Sequence, residues 1–305
     1  MFMTETSVKR PGNPQPNLKN DEQEKVRGLW QDVFKRLRKN KIAMFGAFLI
    51  ALLLFCAIFA PLLTSHDPEN GVLAERQQAP SSENWFGTDS QGRDVFSRIL
   101  YGASISVQIG VISVGIALII GSLMGVLAGY YGKWLDVLVM RFVDIMLAFP
   151  TILLALAIVS ILGPSLKNAM IAVGIVNIPR FARIVRSSVL SVKETEYVEA
   201  SRAIGCTDMQ IIGRHVLPNC LAPIIVQTTL TIGTAILEAA GLSFLGLGAQ
   251  PPQPEWGAML ADSRGYLRQA PWSVMFPGLA IMLTVLGFNL LGDGLRDALD
   301  PRLKE

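Results

Sequence analysis

The stretch from Glu199 to Pro218 is the part of this sequence whose residue types and spacing are most specific for a task, and the task is docking rather than bond-making. Glu199, Ala200 and Ser201 fall in a segment of helical spacing, Tyr197 to Ile204, that carries small side chains at positions 200, 201 and 203. Gly205 can end that helix, because glycine enters the left-handed backbone region without a Cβ clash. Asp208 can cap a second short helix with Ile211, Ile212 and Val216 on its apolar side. Leu217 and Pro218 then open the next hydrophobic run. Two short helices meeting at a glycine form a compact knob. Such a knob can seat in a groove on a partner or pack as a hairpin on its own bundle, and residue chemistry leaves both readings open.

Other reactive groups are sparse. Glu238 is the only acid deep within an uncharged apolar run, and intramembrane charges are costly and often functional. Asp89 and Arg93, and Asp94 and Arg98, are spaced four apart, which on a helix makes ion pairs that stiffen the segment. Arginines in the same patch argue against a metal there. Arg141 and Asp144 read as an anchoring ion pair. Glu255 and Trp256 are weaker candidates for contact with a solute. The cysteines, Cys56, Cys206 and Cys220, are odd in number and lack paired spacing, so neither a disulfide framework nor a zinc motif is expected. His66 and His215 are too far apart in sequence to suggest a metal cluster, and no metal site is expected. No phosphate-binding G-x-x-x-x-G-K-[ST] loop is present, so any ATP used must bind another chain.

The elements that position these residues are membrane helices. The composition is 51% hydrophobic and 17% charged, against about 25% charged in a soluble domain. A span needs about 20 mostly apolar residues, and six are expected: Ile42–Leu63, Val107–Leu127, Ile145–Leu162, Asn168–Pro179, Cys220–Leu247 and Trp272–Leu291. The third contains Pro150, which neighbouring helices can accommodate. The fourth reaches spanning length only if Arg180, Arg183 and Arg186 carry it on into the headgroups, with their long side chains snorkelling. With the N-terminus inside, the inner segments hold 21 Lys and Arg and the outer segments 6. That excess follows the positive-inside rule and places both termini in the cytoplasm. The polar first residues contain no early apolar stretch, so a cleaved signal peptide is not expected. Residues 1–28 read as a disordered tail, followed by a basic amphipathic segment, Gly28–Lys41, with Trp30, Val33, Phe34 and Leu37 at helical spacing. That segment either lies on the membrane surface or is a plain basic flank. Gly121, Gly125 and Gly129 form overlapping G-x-x-x-G steps, which suit close packing either within the chain or against another subunit. A net charge of +3 is too small to suggest nucleic-acid binding.

Glu199-Ala200-Ser201, Gly205, Ile211 and Leu217-Pro218 resemble the "EAA" coupling loop of ABC importer permeases. Ser201 departs from the pattern at the second alanine, and His215 stands in the usual isoleucine position before Val216 and Leu217. Three further stretches resemble the dipeptide, oligopeptide and nickel branch, and within it the second of the two permease subunits. They are Trp85 to Arg98 (WFGTDSQGRDVFSR), Gly241 to Gly257 (GLSFLGLG followed by QPP and PEWG), and Leu291 to Pro301 (LGDGLRDALDP). The resemblance runs from about Phe34 to the end. It implies an all-α, six-span bundle of the type I importer kind, laid out as a cytoplasmic tail (1–41), a first span (42–63), an extracytoplasmic loop (64–101) and a five-helix core (102–305) with the coupling loop at 194–218. It also implies a subunit of the plasma or inner membrane that is not itself an enzyme. Its partners would be a second homologous permease, two ATP-binding subunits holding ATP and Mg, and an extracytoplasmic substrate-binding protein. The chain itself would hold no cofactor. Glu238 would be a candidate for the translocation path, meeting a peptide amine there or a polar group of the partner subunit. Peptides are the favoured cargo, with glutathione or nickel complexes as alternatives. An ion-coupled secondary transporter is the competing class, but it would show inverted repeats and charge-bearing broken helices. No repeat is visible here.

Overall fold

The computed structural model describes residues 29–299. The tail at 1–28 and the last residues of the C-terminal motif, 300–305, lie outside that range. Among the described residues the chain is helical, with an isolated bridge between Thr88 and Asp94 as the one extended pairing. In chain order the helices are α1 (Leu29–Lys39), α2 (Lys41–Leu63), α3 (Val95–Tyr131), α4 (Lys133–Ala148), α5 (Thr151–Leu162), α6 (Leu166–Lys193), α7 (Glu196–Ala203), α8 (Asp208–Ile211), α9 (Leu217–Phe244), α10 (Trp256–Ser263) and α11 (Trp272–Leu299).

Among the described residues five helices are long and apolar enough to cross a membrane, and α4 with α5 supplies a sixth only as a bent pair. The expected continuous third span is therefore broken, with a 94° bend between its halves. The cause is local. A proline disfavours the helical region for the residue before it, and Phe149 sits at φ −92°, ψ 139°. Pro150 follows at φ −56°, ψ 129° and begins a new helix rather than continuing the old one. The second span is longer than expected, because the apolar window is only the middle of the 37-residue α3.

The fourth span does run on past Pro179 to Lys193. Its arginines have partners that spacing did not suggest. Each meets an acid of this same chain. Arg186 grips Asp136 through two contacts of 2.5 and 2.6 Å, and Arg183 reaches Asp144 at 2.6 Å. Arg180 approaches Glu238 at 3.9 Å. Asp144 thus serves Arg183 rather than the expected Arg141. The weak hydropathy of α6 comes from these three charged positions, each of which has an acid of the same chain beside it.

The glycine ridge packs within the chain. A Cβ on Gly121 would stand 2.7 Å from the Ile178 carbonyl oxygen, and one on Gly125 2.6 Å from that of Ala182. The absence of Cβ there lets α3 lie backbone-to-backbone on α6. Around this seam Ile109, Val114, Ala117, Val173, Phe181, Ile236 and Leu242 form the apolar centre. α1 does not lie free on a surface: Val33 is buried and Leu37 packs near Gly294 of α11, while Phe34 stays exposed.

The segment 64–94 and α10 close one end of the bundle over a buried charge cluster. Arg93 and Arg98 are each 1% exposed. Asp89 holds Arg93 at 2.6 Å and stands 3.7 Å from Arg98, and Asp262 reaches Arg93 at 3.3 Å. Arg98 donates instead to the carbonyls of Pro68 and Pro252, at 2.5 and 3.2 Å. Asp94 does not pair with Arg98 as its spacing suggests. It caps α3 by accepting from the Ser97 amide at 2.7 Å. Replacing Asp89 by alanine leaves two buried guanidiniums short of their shared counter-charge, so stability is expected to fall by about 3–5 kcal/mol. A lowered midpoint of thermal unfolding of the purified complex in detergent checks this, and an unchanged midpoint would contradict it.

Candidate functional site

The knob at 194–216 is built by local capping chemistry. α6 stops at Lys193, and Thr195 turns the chain with its hydroxyl on the Val192 carbonyl at 2.6 Å. α7 carries Glu196 and Glu199 in its first turn, where the helix dipole favours acids. It ends in a Schellman pattern: the Cys206 amide donates to the Ser201 carbonyl and the Gly205 amide to that of Arg202, both at 3.1 Å. Gly205 takes φ +87°, as the sequence requires. The second helix is capped by Thr207, not by Asp208. Thr207 and Gln210 form a reciprocal capping box. α8 then passes through a single π turn, 212–216, into α9 without a break. Pro218, which has no amide donor to give the preceding turn, follows directly on this π turn at the start of α9.

The residues singled out in this loop divide into two groups. Val198, Ile211, Ile212 and Val216 are buried against Val126, Tyr130, Val185 and Val189 of α3 and α6. Ser201 is also turned inward. Its hydroxyl donates to the Tyr197 carbonyl at 2.7 Å and lies 3.4 Å from His215 Nε2. The two departures from the motif, Ser201 and His215, therefore face each other. Asp208, freed from capping, accepts the Tyr130 hydroxyl at 2.7 Å. Lys193 adds a second tie, donating to the Tyr130 carbonyl at 2.6 Å. Facing outward are Glu199, Ala200, Gly205, Leu217 and Pro218, together with Ile204 (82% exposed) and Met209 (79% exposed). The apex thus presents the apolar side chains of Ile204 and Met209 beside Glu199 and is small at its bend.

Tyr130, Lys193 and Asn177 were not legible as functional from spacing. Tyr130 meets a residue 78 positions away, and nothing in the sequence marks that contact. Asn177 lies in the weak fourth span and donates to Glu238 at 2.8 Å. An amide in the middle of an apolar helix was the available signal. Glu238 is thereby engaged by α6 of its own chain, through Asn177 and Arg180. On α9, Glu238 lies in line with Thr234, Leu230 and Gln227. On α6, Arg180 lies in line with Ile184 and Ser187. Those same faces border a groove of about 640 Å³ between α6, α9 and the end of α11, where Ser187, Asn219, Gln227 and Arg296 supply polar edges. Glu255 and Trp256 lie outside this groove. Glu255 caps α10, accepting from the Gly257 and Ala258 amides at 3.0 and 2.8 Å. Burial pushes its carboxyl above the usual carboxylate range, and those hydrogen bonds act in the opposite direction. The Trp256 indole donates to the Ile99 carbonyl at 3.2 Å.

The chain is thus a bundle of membrane-length helices with a capped knob at one end. The fold agrees with solved structures of that kind. An inward-facing MetNI methionine ABC transporter aligns with a TM-score of 0.56 at 22% identity, covering 67% of this chain and 97% of that one. Residues 121–305 match the family described as binding-protein-dependent transport system inner membrane component, and residues 28–80 match the N-terminal TM domain of oligopeptide transport permease C. The chain belongs to this family and is the membrane permease component of an ABC importer. Among its relatives is the dipeptide transport system permease protein DppC of Alkalihalophilus pseudofirmus, 57% identical over 96% of this chain and 95% of that protein. Another is the glutathione transport system permease protein GsiD of Escherichia coli, 50% identical over 96% of each chain.

Proposed function

We propose that this chain is one of two homologous permease subunits that together carry di- or oligopeptides inward across the plasma membrane, driven by ATP hydrolysed on separate subunits. The observation that carries the reading is the exposed apolar apex at Ala200, Ile204, Gly205 and Met209, built on a loop whose other face is fixed to the bundle. An apolar knob presented outward fits a groove on a partner. The excess of basic residues on the same side as this loop supports a cytoplasmic setting for it and for both termini. Two ATP-binding subunits with ATP and Mg would dock on that side, one of them on this loop, and a substrate-binding protein would deliver cargo at the opposite end. Motion of the knob would tilt the helices it is fixed to, a two-state rearrangement of packed elements. The groove between α6 and α9, with Glu238 and Arg180 at its head, is the proposed wall of the path. A charged pair within a span faces water or protein rather than lipid.

Peptide cargo rests on the higher identity to a dipeptide permease, with glutathione as the second reading from the relatives at 50%. The test is uptake into vesicles reconstituted with the permease pair, the ATPases and the binding protein. Accumulation of labelled dipeptide that requires internal ATP and yields only weakly to excess glutathione is the expected result. Accumulation driven by a proton or sodium gradient without ATP would overturn the reading, and full competition by glutathione would reassign the cargo.

A further inference from the structure

At the end of the bundle opposite the knob, a cavity of about 170 Å³ opens between the end of α2, the segment 64–94 and the start of α3. His66, Glu83, Trp85, Asp94 and Phe96 form most of its wall, with Leu63 on the apolar side. The pocket is tied together from below. Thr64 and Ser97 share a hydrogen bond between their hydroxyls, and Ser97 in turn donates to Asp94 Oδ2 at 2.6 Å. The Trp85 and Phe96 rings meet at 5.0 Å, yet Trp85 remains 62% exposed at the mouth.

Asp94 is the informative residue. It is 5% exposed, and its Oδ2 is occupied by the Ser97 amide and hydroxyl. Its Oδ1 is buried with no hydrogen-bond partner. A buried carboxylate oxygen without a donor is costly, and Asp94 is one of the residues that line the cavity. The wall offers acceptors and an aromatic face: the Asp94 and Glu83 carboxylates, the Trp85 ring and the His66 imidazole. No Lys or Arg lines it. Among the described residues no group of three or more His, Cys, Asp or Glu is arranged to hold a metal ion. The complement of such a wall is a primary ammonium, which brings three donors and one charge and binds over an aromatic face. Leu63 and Phe96 suit an aliphatic stem behind it.

The surrounding surface has the same sign. Residues 64–94 contain six acids and two arginines. Arg93 is buried, whereas Asp67, Glu69, Glu75 and Glu83 are exposed. An acidic face steers a basic partner and fixes its register. We propose that this pocket is a docking socket for a lysine side chain of the substrate-binding protein, at the end of the permease where that protein delivers its cargo. The proposal rests on the importer reading.

The experiment titrates purified binding protein against the complete transporter in nanodiscs and follows ATP hydrolysis. Glu83→Gln and Trp85→Ala, both changes at exposed side chains, are expected to raise the half-saturating binding-protein concentration about tenfold. The maximal rate and the basal rate should stay unchanged, and the difference from wild type should shrink at high salt. Acetylating the lysines of the binding protein should reproduce the defect on wild type and add nothing on Glu83→Gln. Equal half-saturation in wild type and both variants overturns the socket. So does a defect seen only with peptides bearing a free amino terminus and indifferent to lysine acetylation, which would make the occupant the cargo. A wild-type complex whose hydrolysis ignores the binding protein altogether is a different failure, and it falls on the importer reading itself.

Discussion

Gly205→Asp is expected to strip the ATPase subunits from the complex while the two permease subunits remain together. The chain itself has room for the change, since a Cβ at Gly205 would meet nothing within 4 Å. The backbone at φ +87° disfavours any L-residue, by about 1–2 kcal/mol, and that cost is confined to a two-helix turn. The larger effect lies across the proposed interface. A carboxylate placed between Ile204 and Met209, at an apex that a partner must desolvate, is left without a counter-charge, a defect of about 3–5 kcal/mol. That corresponds to an affinity loss of more than a hundredfold. Co-purification from mildly solubilised membranes reads it directly. Gly205→Ala carries the backbone strain without the charge, and it should retain most of the ATPase. If both variants hold the ATPase as wild type does, the knob is not the docking element.

Gly125→Ala should prevent accumulation of a correctly assembled permease, although it adds a single methyl group. That methyl would stand 2.6 Å from the Ala182 carbonyl oxygen, 2.9 Å from the Val185 Cβ and 3.0 Å from the Arg186 amide nitrogen. Two of those neighbours are backbone atoms, so no rotamer change relieves the clash, and α3 must lift from α6. Overpacking of a fixed seam costs about 1–3 kcal/mol, and here the shift also draws Arg186 from Asp136. Gly115→Ala in the same helix is the matched control, because its added Cβ meets nothing within 4 Å. Size-exclusion profiles of the two variants in detergent should separate clearly, with Gly115→Ala matching wild type. Matching profiles would mean that the seam yields more readily than its backbone contacts imply.

These two glycines show what the sequence made legible. Hydropathy and a motif at fixed spacing are local, so the helices α2, α3, α9 and α11, the knob and the αL turn at Gly205 could be read in advance. Pairings between distant residues are not local. Arg180, Arg183 and Arg186 made α6 look marginal as a span, because their acids lie on α4 and α9 and no hydropathy window sees a partner 39 to 58 positions away. Pro150 looked tolerable by the rule for spans with neighbours. The structure resolves it as a 94° break because Phe149 adopts the extended backbone that a following proline favours. Asp208 was assigned to the cap by type, since aspartate caps well, but Thr207 stands one position earlier with Gln210 at the reciprocal place. The carboxylate went to Tyr130 instead, on a helix that spacing could not bring near.

That last contact joins the knob to one terminus of α3, and at the other terminus Ser97 meets the Thr64 hydroxyl and Arg98 donates to the Pro68 and Pro252 carbonyls. α3 is a single helix of 37 residues, about 55 Å from end to end. Under the proposed reading it would act as a lever arm. Pivoted near one terminus, a tilt of about 10° sweeps the other through about 10 Å, by the same dimensions. Both termini are held by side-chain contacts, so under the proposed reading displacement at one face would reach the other through the helix itself. Polarity of travel then needs no relay of side-chain rearrangements across the membrane. One helix, tied at Tyr130 and at Ser97 and Arg98, would give the two faces a common mechanical phase under the proposed reading.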